Sequence, residues 1–318
     1  MGRIVWVDWA KAFAIFFVVV GHVGLESLRP FVYAFHVPAF FVLSGYLYKK
    51  AWWFQTFLSF VVPVLAFSAL YFIMSLIASD FDFTETWTKK TWFVYKLDET
   101  RPMFTGLWFL EVLFVGRLLL GDGGFDFIKK NYILFSIIFT LSSVVIDALS
   151  IELNWYITRI IQCFPFLGFG IYLKESNLIR SFNPMARNTI CMAVGGGILF
   201  LVLMHINQWC DIMYNRYNST YIVFFINAVL GSLLLFYICL FLKRSSIIEV
   251  LSIGTLVILG CHDKITAVFL ILLHIFYDNK IFDGYISPII SVIISYFVIK
   301  LCQKIHPLLL GKIKLNHK

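Results

Sequence analysis

Charge is what this sequence has least of. Only 14% of its 318 residues are Asp, Glu, Lys or Arg, against about 25% in soluble globular domains. That scarcity excludes a water-soluble enzyme and a disordered chain. Cysteine is also sparse and unpatterned. Cys163, Cys191, Cys210, Cys239, Cys261 and Cys302 form no C-x-x-C pair, which excludes a disulfide scaffold and a thiolate metal site. No His/Cys/Asp group has zinc-ligand spacing, and neither H-E-x-x-H nor G-x-S-x-G occurs, so the expectation is that the protein uses no metal. A cleavable signal is missing as well. The first apolar run holds Asp8 and Lys11 and no A-x-A site follows, so the first helix is expected to stay.

What is there is apolar. Hydrophobic residues make up 60% of the chain and aromatics 19%, with 35 Phe; mean hydropathy is +0.86. The reading is an all-α, polytopic membrane helix bundle, one integral domain over 1–318 with no room for a second, soluble one. A spanning helix needs about 20 apolar residues. Ten spans are predicted: 4–24, 31–48, 56–78, 104–121, 132–148, 155–173, 188–206, 221–242, 250–274 and 285–302.

The net charge of +8 gives no case for nucleic acid, because the basic residues flank apolar runs and orient helices. With the N-terminus in the cytoplasm, sixteen basic residues from Arg3 to Lys318 fall inside and seven outside. Both termini are therefore expected in the cytoplasm. The one long loop, 79–103, is expected outside, as a lid or an interfacial segment anchored by Trp87, Trp92, Phe93 and Tyr95. The basic tail from Lys300 is expected on anionic lipid.

Ionisable residues inside spans are costly unless they face a polar interior. Asp8, Lys11, His22, His36, Glu111, Arg159, His262, Asp263 and Lys264 are too many for a lipid-filled bundle and imply a hydrated or ligand-filled cavity. Lys11 and His22 are eleven residues apart; eleven steps of 100° return close to the start, so they share one helix face about 16 Å apart. Asp8 sits three residues before Lys11 and can pair with it. A ligand with an anionic head and a long neutral arm matches that spacing. The plainer reading is that Lys11 pairs with Asp8 or snorkels, and that His22 only marks an interface. In FHVPAFFVLSGYLYKK, Pro38, Ser44 and Gly45 read first as devices for a bent helix and close approach. Three consecutive ionisable residues, His262, Asp263 and Lys264, cannot share one face, so one must bond structurally. Gly195–Gly197 reads as a packing surface, and GDGG (121–124) as a turn rather than a phosphate loop.

Five segments in order resemble the acyltransferase-3 family of integral membrane O-acyltransferases, in its fucose 4-O-acetylase-like branch: VDWAKAFAIFFVVVGH, FHVPAFFVLSGYLY, GLWFLEVLF, RIIQCFPFLGFGIYL and GTLVILGCH. The resemblance spans essentially the whole chain. It implies ten helices in a bacterial cytoplasmic membrane, a cytoplasmic acyl-CoA donor, typically acetyl-CoA, and a glycan or lipid-linked sugar acceptor. It places Lys11 and His22 at the functional core. Acyl transfer from a thioester to an alcohol needs a base and oxyanion stabilisation. His22 is then the base, oriented by Glu111, with an acetyl-His intermediate as a variant. Lys11, with Asp8 and Ser44, belongs to the donor side. His36, His262, Lys264 and Trp108 belong to the acceptor, and Arg159 is a substrate-binding cation for anionic groups of donor or acceptor. Here the family's Arg-rich stretch before the third helix is reduced to Lys49 and Lys50, and its Gly after the first-helix basic residue is Ala12. The rival reading is a transporter or flippase for a polyisoprenoid-linked glycan, which the lack of an internal repeat disfavours. Homo-oligomers are compatible with either.

Overall fold

The computed structural model describes residues 3–78, 80–82, 107–181, 183–274, 280–305 and 307–311. Among these residues the chain is helical, and the single β-type feature is an isolated bridge between Asp211 and Arg216. The elements are α1 (Val5–Val23), α2 (Arg29–Tyr33), α3 (His36–Tyr46), α4 (Trp53–Ala78), α5 (Trp108–Arg117), α6 (Asp126–Lys130), α7 (Tyr132–Ala148), α8 (Trp155–Glu175), α9 (Leu178–Ser181), α10 (Arg187–Asn207), α11 (Tyr221–Cys239), α12 (Ser246–Ile253), α13 (Thr255–His274) and α14 (Lys280–Ile305). Eight helical segments among the described residues are long and apolar enough to cross a membrane. Each matches a predicted span. The other two predicted spans fall on shorter pieces: α7 has 17 residues, and α5 has 10, extended by a wide turn over Leu118–Asp122. Most of the 79–103 loop and the last residues of the tail lie outside the described residues.

Helix α1 is the axis of the bundle. Its Trp6, Ala10 and Ala14 pack into a core built with α3, α8 and α11, while Ala12, Ile15 and Val19 pack into a second core with α4, α13 and α14. Two apolar cores flanking one helix explain why almost every α1 residue is apolar except on one stripe. On the outer helices the apolar residues point away from the protein: Ile133, Ile137 and Leu141 on α7 and Val194, Ile198 and Leu201 on α10 are all exposed. Water would not tolerate so continuous an apolar surface, whereas lipid does.

Helices α3 and α8 approach closely backbone to backbone. A Cβ on Gly45 would sit 2.0 Å from the Leu167 carbonyl oxygen, and one on Gly170 would sit 2.0 Å from that of Val42. Small residues let two helix backbones meet, as the sequence suggested for Gly45. This contact presses α3 inward and sets His36 and Ser44 against α1.

The GDGG segment is a turn with a structural task. Gly121 adopts φ +123°, which suits glycine. The Asp122 carboxylate is fully buried and accepts hydrogen bonds from Thr56 Oγ1 (2.7 Å), the Ala51 amide (2.9 Å), Tyr48 Oη (3.1 Å) and Arg117 Nε (3.0 Å). A buried carboxylate satisfied this completely ties the α3–α4 link to the end of α5.

Candidate active site

A cavity of about 870 Å³ runs beside α1. Along α1 it is lined by Asp8, Lys11, Ile15, Val18 and His22. The 3-4-3-4 spacing is one face of a helix, so Lys11 and His22 share a single chamber. From α3 come His36, Val37, Phe40 and Ser44; from α5, Trp108, Phe109, Leu110 and Leu113; from α12 and α13, Ser252, Thr255, Leu256, Leu259 and Asp263. The 211–214 loop closes the His22 end.

At the Lys11 end the polar groups are knitted together. Asp8 accepts from Ser252 Oγ at 2.6 Å and from Arg3 Nε at 3.1 Å, and Arg3 also reaches the Glu249 carboxylate at 3.2 Å. Arg244 completes this cluster on Glu249 and holds its carboxyl below the ordinary value. Arg3 lines the cavity beside Asp8 and Lys11, so two cations and a single bridged carboxylate face this end.

At the other end, Asp263 Oδ1 lies 3.6 Å from His22 Nδ1 and 3.1 Å from His262 Nε2. The two imidazoles meet edge to face, with ring centroids 5.0 Å apart. His262 is buried, and its Nδ1 lies 3.0 Å from the carbonyl oxygens of Ile258 and Leu259. His36 is buried too, with Nδ1 2.5 Å from the Val32 carbonyl oxygen and its ring against Tyr33. Asp211 is buried at the mouth and accepts from the Met213 amide at 2.8 Å. Burial pushes its carboxyl above the usual range, against weaker opposite pulls from those loop amides, Arg159 and His22.

These positions sort the residues expected from sequence. Asp8, Lys11, His22, His36, Ser44 and Trp108 line the cavity. His262 touches it through His22 and Asp263. Three lie elsewhere. Glu111, expected to orient His22, instead accepts the Tyr156 hydroxyl at 2.5 Å, and the carboxylate at His22 is Asp263. Arg159 is buried in α8, bonded to Gln162 and lying over the Trp155 ring 5.7 Å away. Gln162 passes the network on to Asn215 (2.6 Å), so Arg159 braces the 211–216 loop from behind rather than facing the chamber. Lys264 is on α13 but is not part of the lining.

The fold also adds Asp211, Tyr33, Ser252 and Arg3, and gives a place in the lining to Asp263, to which the sequence reading assigned no role. Asp263 had a legible signal. With Leu256 and Leu259 it forms an i, i+3, i+7 stripe, the α13 face turned to the cavity.

A chamber with a basic end, a histidine–carboxylate end and an apolar waist agrees with the sequence comparison. Residues 4–302 match the acyltransferase domain family. The chain belongs to the acyltransferase-3 family. No curated protein and no solved structure matches it. This acyltransferase is thus a multi-pass membrane protein in which nearly every described span contributes to one bundle. Its family assignment also sets aside the transporter reading. In this acyltransferase an imidazole, His22, a carboxylate, Asp263, and the polar groups of Tyr33 and Asp211 line the same cavity.

Proposed function

We propose that the protein is a membrane O-acetyltransferase of the fucose 4-O-acetylase-like kind. In this reading both termini are cytoplasmic, acetyl-CoA enters at the Lys11 end, and a glycan or lipid-linked sugar hydroxyl arrives at the His22 end, in a bacterial cytoplasmic membrane. The observation that carries it is the continuous lining of one cavity by Lys11 and His22. An anionic head held at Arg3 and Lys11 leaves a long neutral arm to run along the apolar waist of Ile15, Val18, Phe40 and Leu113.

His22 is the general base. A base takes the acceptor proton as the hydroxyl oxygen attacks the thioester carbon, and the thiolate leaves as the C–S bond breaks. Asp263 is the positioning residue: its carboxylate orients the imidazole and stabilises the imidazolium formed when the proton moves. At 3.6 Å the pair is just longer than a hydrogen bond, and catalytic contacts commonly tighten only when substrate is bound. Tyr33, at the same mouth, carries the hydroxyl suited to stabilise the oxyanion.

Incubating purified protein with labelled acetyl-CoA and a panel of glycans tests this. Label should pass to a sugar hydroxyl. Transfer to no glycan or lipid-linked sugar, with acetyl-CoA left intact, would contradict it.

A further inference from the structure

We infer that His22, His262 and Asp263 form a binding site for a divalent transition-metal cation, of which Zn²⁺ is the best match. Linear spacing gave no hint of it, because the ligands come from α1 and α13. The three ligand atoms, one nitrogen from each ring and a carboxylate oxygen, lie within 4.8 Å of one another. Two atoms each about 2.0–2.1 Å from a tetrahedral ion stand about 3.3 Å apart. The two contacts to Asp263, 3.1 and 3.6 Å, bracket that value.

The independent observation is the state of His262. Its Nδ1 faces two backbone carbonyl oxygens at 3.0 Å. Carbonyls only accept, so Nδ1 carries the proton. In the neutral ring Nε2 then presents a lone pair, and it points at another acceptor, Asp263 Oδ1, 3.1 Å away. Two lone pairs at that separation repel. A proton on Nε2 would relieve this by donating to the carboxylate, yet Nε2 has no hydrogen-bond partner although His262 is 2% exposed. A cation removes the conflict. An ion on the axis of the Nε2 lone pair holds its next ligand well off that axis, where a hydrogen bond would be bent. The backbone carbonyls behind Nδ1 are the outer partners that metal-binding imidazoles normally have. Two histidines and a carboxylate suit Zn²⁺, and the fourth position opens into the cavity.

The consequence for transfer rests on the reading of His22 as the base. A cation on His22 Nδ1 leaves the ring's one proton on Nε2, so no lone pair remains to accept the acceptor's proton and occupancy stops the reaction. In that role the site makes the enzyme sensitive to zinc from the acceptor side.

The test uses the full-length protein in detergent, stripped with chelator and titrated with Zn²⁺ by calorimetry. One equivalent should bind, and Co²⁺ in its place should give the strong visible absorption of a four-coordinate ion. His262→Ala and Asp263→Asn should each lose at least tenfold in affinity. No binding to wild type, or wild-type affinity in both variants, would overturn the site. The Co²⁺ spectrum of wild type serves even where a variant fails to fold: absorption of a six-coordinate, oxygen-bound ion would overturn the site as well. Turnover separates the two claims. Full activity with zinc seated would leave the metal site standing and remove His22 as base.

Discussion

Asp263 and His22 meet across the cavity, Oδ1 to Nδ1 at 3.6 Å, although one sits on α13 and the other near the end of α1. In the proposed mechanism this contact makes α13 part of the catalytic end. Asp263→Asn keeps the size of the side chain and removes its charge, so its main effect should be on turnover. A loss of roughly 100-fold in kcat is expected from a misplaced base, with little change in KM for acetyl-CoA. Steady-state kinetics at saturating donor reads this; an unchanged kcat would move the positioning role away from Asp263.

In the proposed reading Lys11 belongs to the donor-binding end. Lys11→Ala should weaken acetyl-CoA binding more than it slows the bound complex, because the cation stands about 16 Å from the base. Calorimetry with acetyl-CoA checks it. Unchanged affinity would refute the donor assignment, leaving Arg3 as the cation that matters.

The α3–α8 contact predicts a contrast between two glycines. A methyl group on Gly170 would lie 2.0 Å from the Val42 carbonyl and 2.7 Å from the Tyr46 amide, both backbone, whereas one on Gly195 meets nothing within 4 Å. Gly170→Ala should therefore cost about 1–3 kcal/mol by forcing the helices apart. Gly195→Ala should be neutral or stabilise by up to about 1 kcal/mol through helix propensity. Thermal melts in one detergent compare them directly, and equal melting temperatures would contradict the packing described.

Asp211 gives a pH dependence. Burial holds its folded-state pKa above the unfolded value of about 3.9. Folding therefore favours the protonated form. Stability is greatest below the unfolded pKa and falls as pH rises through the raised one. Asp211→Asn removes that penalty while retaining an oxygen to accept from the Met213 amide. The variant should melt higher than wild type at about pH 7, with an advantage that shrinks as pH falls toward 4. A variant less stable than wild type at neutral pH would show that the charge is needed.

Much of this fold is legible in the sequence itself. The spans were visible as apolar runs. The Lys11–His22 face followed from the helix repeat alone, and α1 keeps that stripe along the cavity. The crowded triplet on α13 also resolved as its sequence required: His262 bonds to the backbone while Asp263 faces the chamber. Glu111 was chosen on depth, and depth in a membrane says nothing about azimuth; its helix turns the carboxylate toward Tyr156 on α8. The same holds for Arg159, which bonds through Gln162 to the loop that carries Asn215. Asp211 had no local signal, because a loop's position is set by the helices it joins. The metal ligands were invisible to spacing for the reason that hides most tertiary sites: no single helix carries them.

The central claim is that His22 performs the proton transfer, and turnover of His22→Ala with labelled acetyl-CoA tests it most directly. His22 lies near the end of α1 and faces the cavity with its side chain partly exposed, so the variant should express and melt near wild type. Loss of a general base predicts a drop of about 100- to 10,000-fold in rate, while His262→Ala, which removes a neighbour of the base, should lose less. A His22→Ala enzyme that kept about a third of wild-type turnover, while His262→Ala lost nearly all, would contradict the account and move the catalytic histidine to α13.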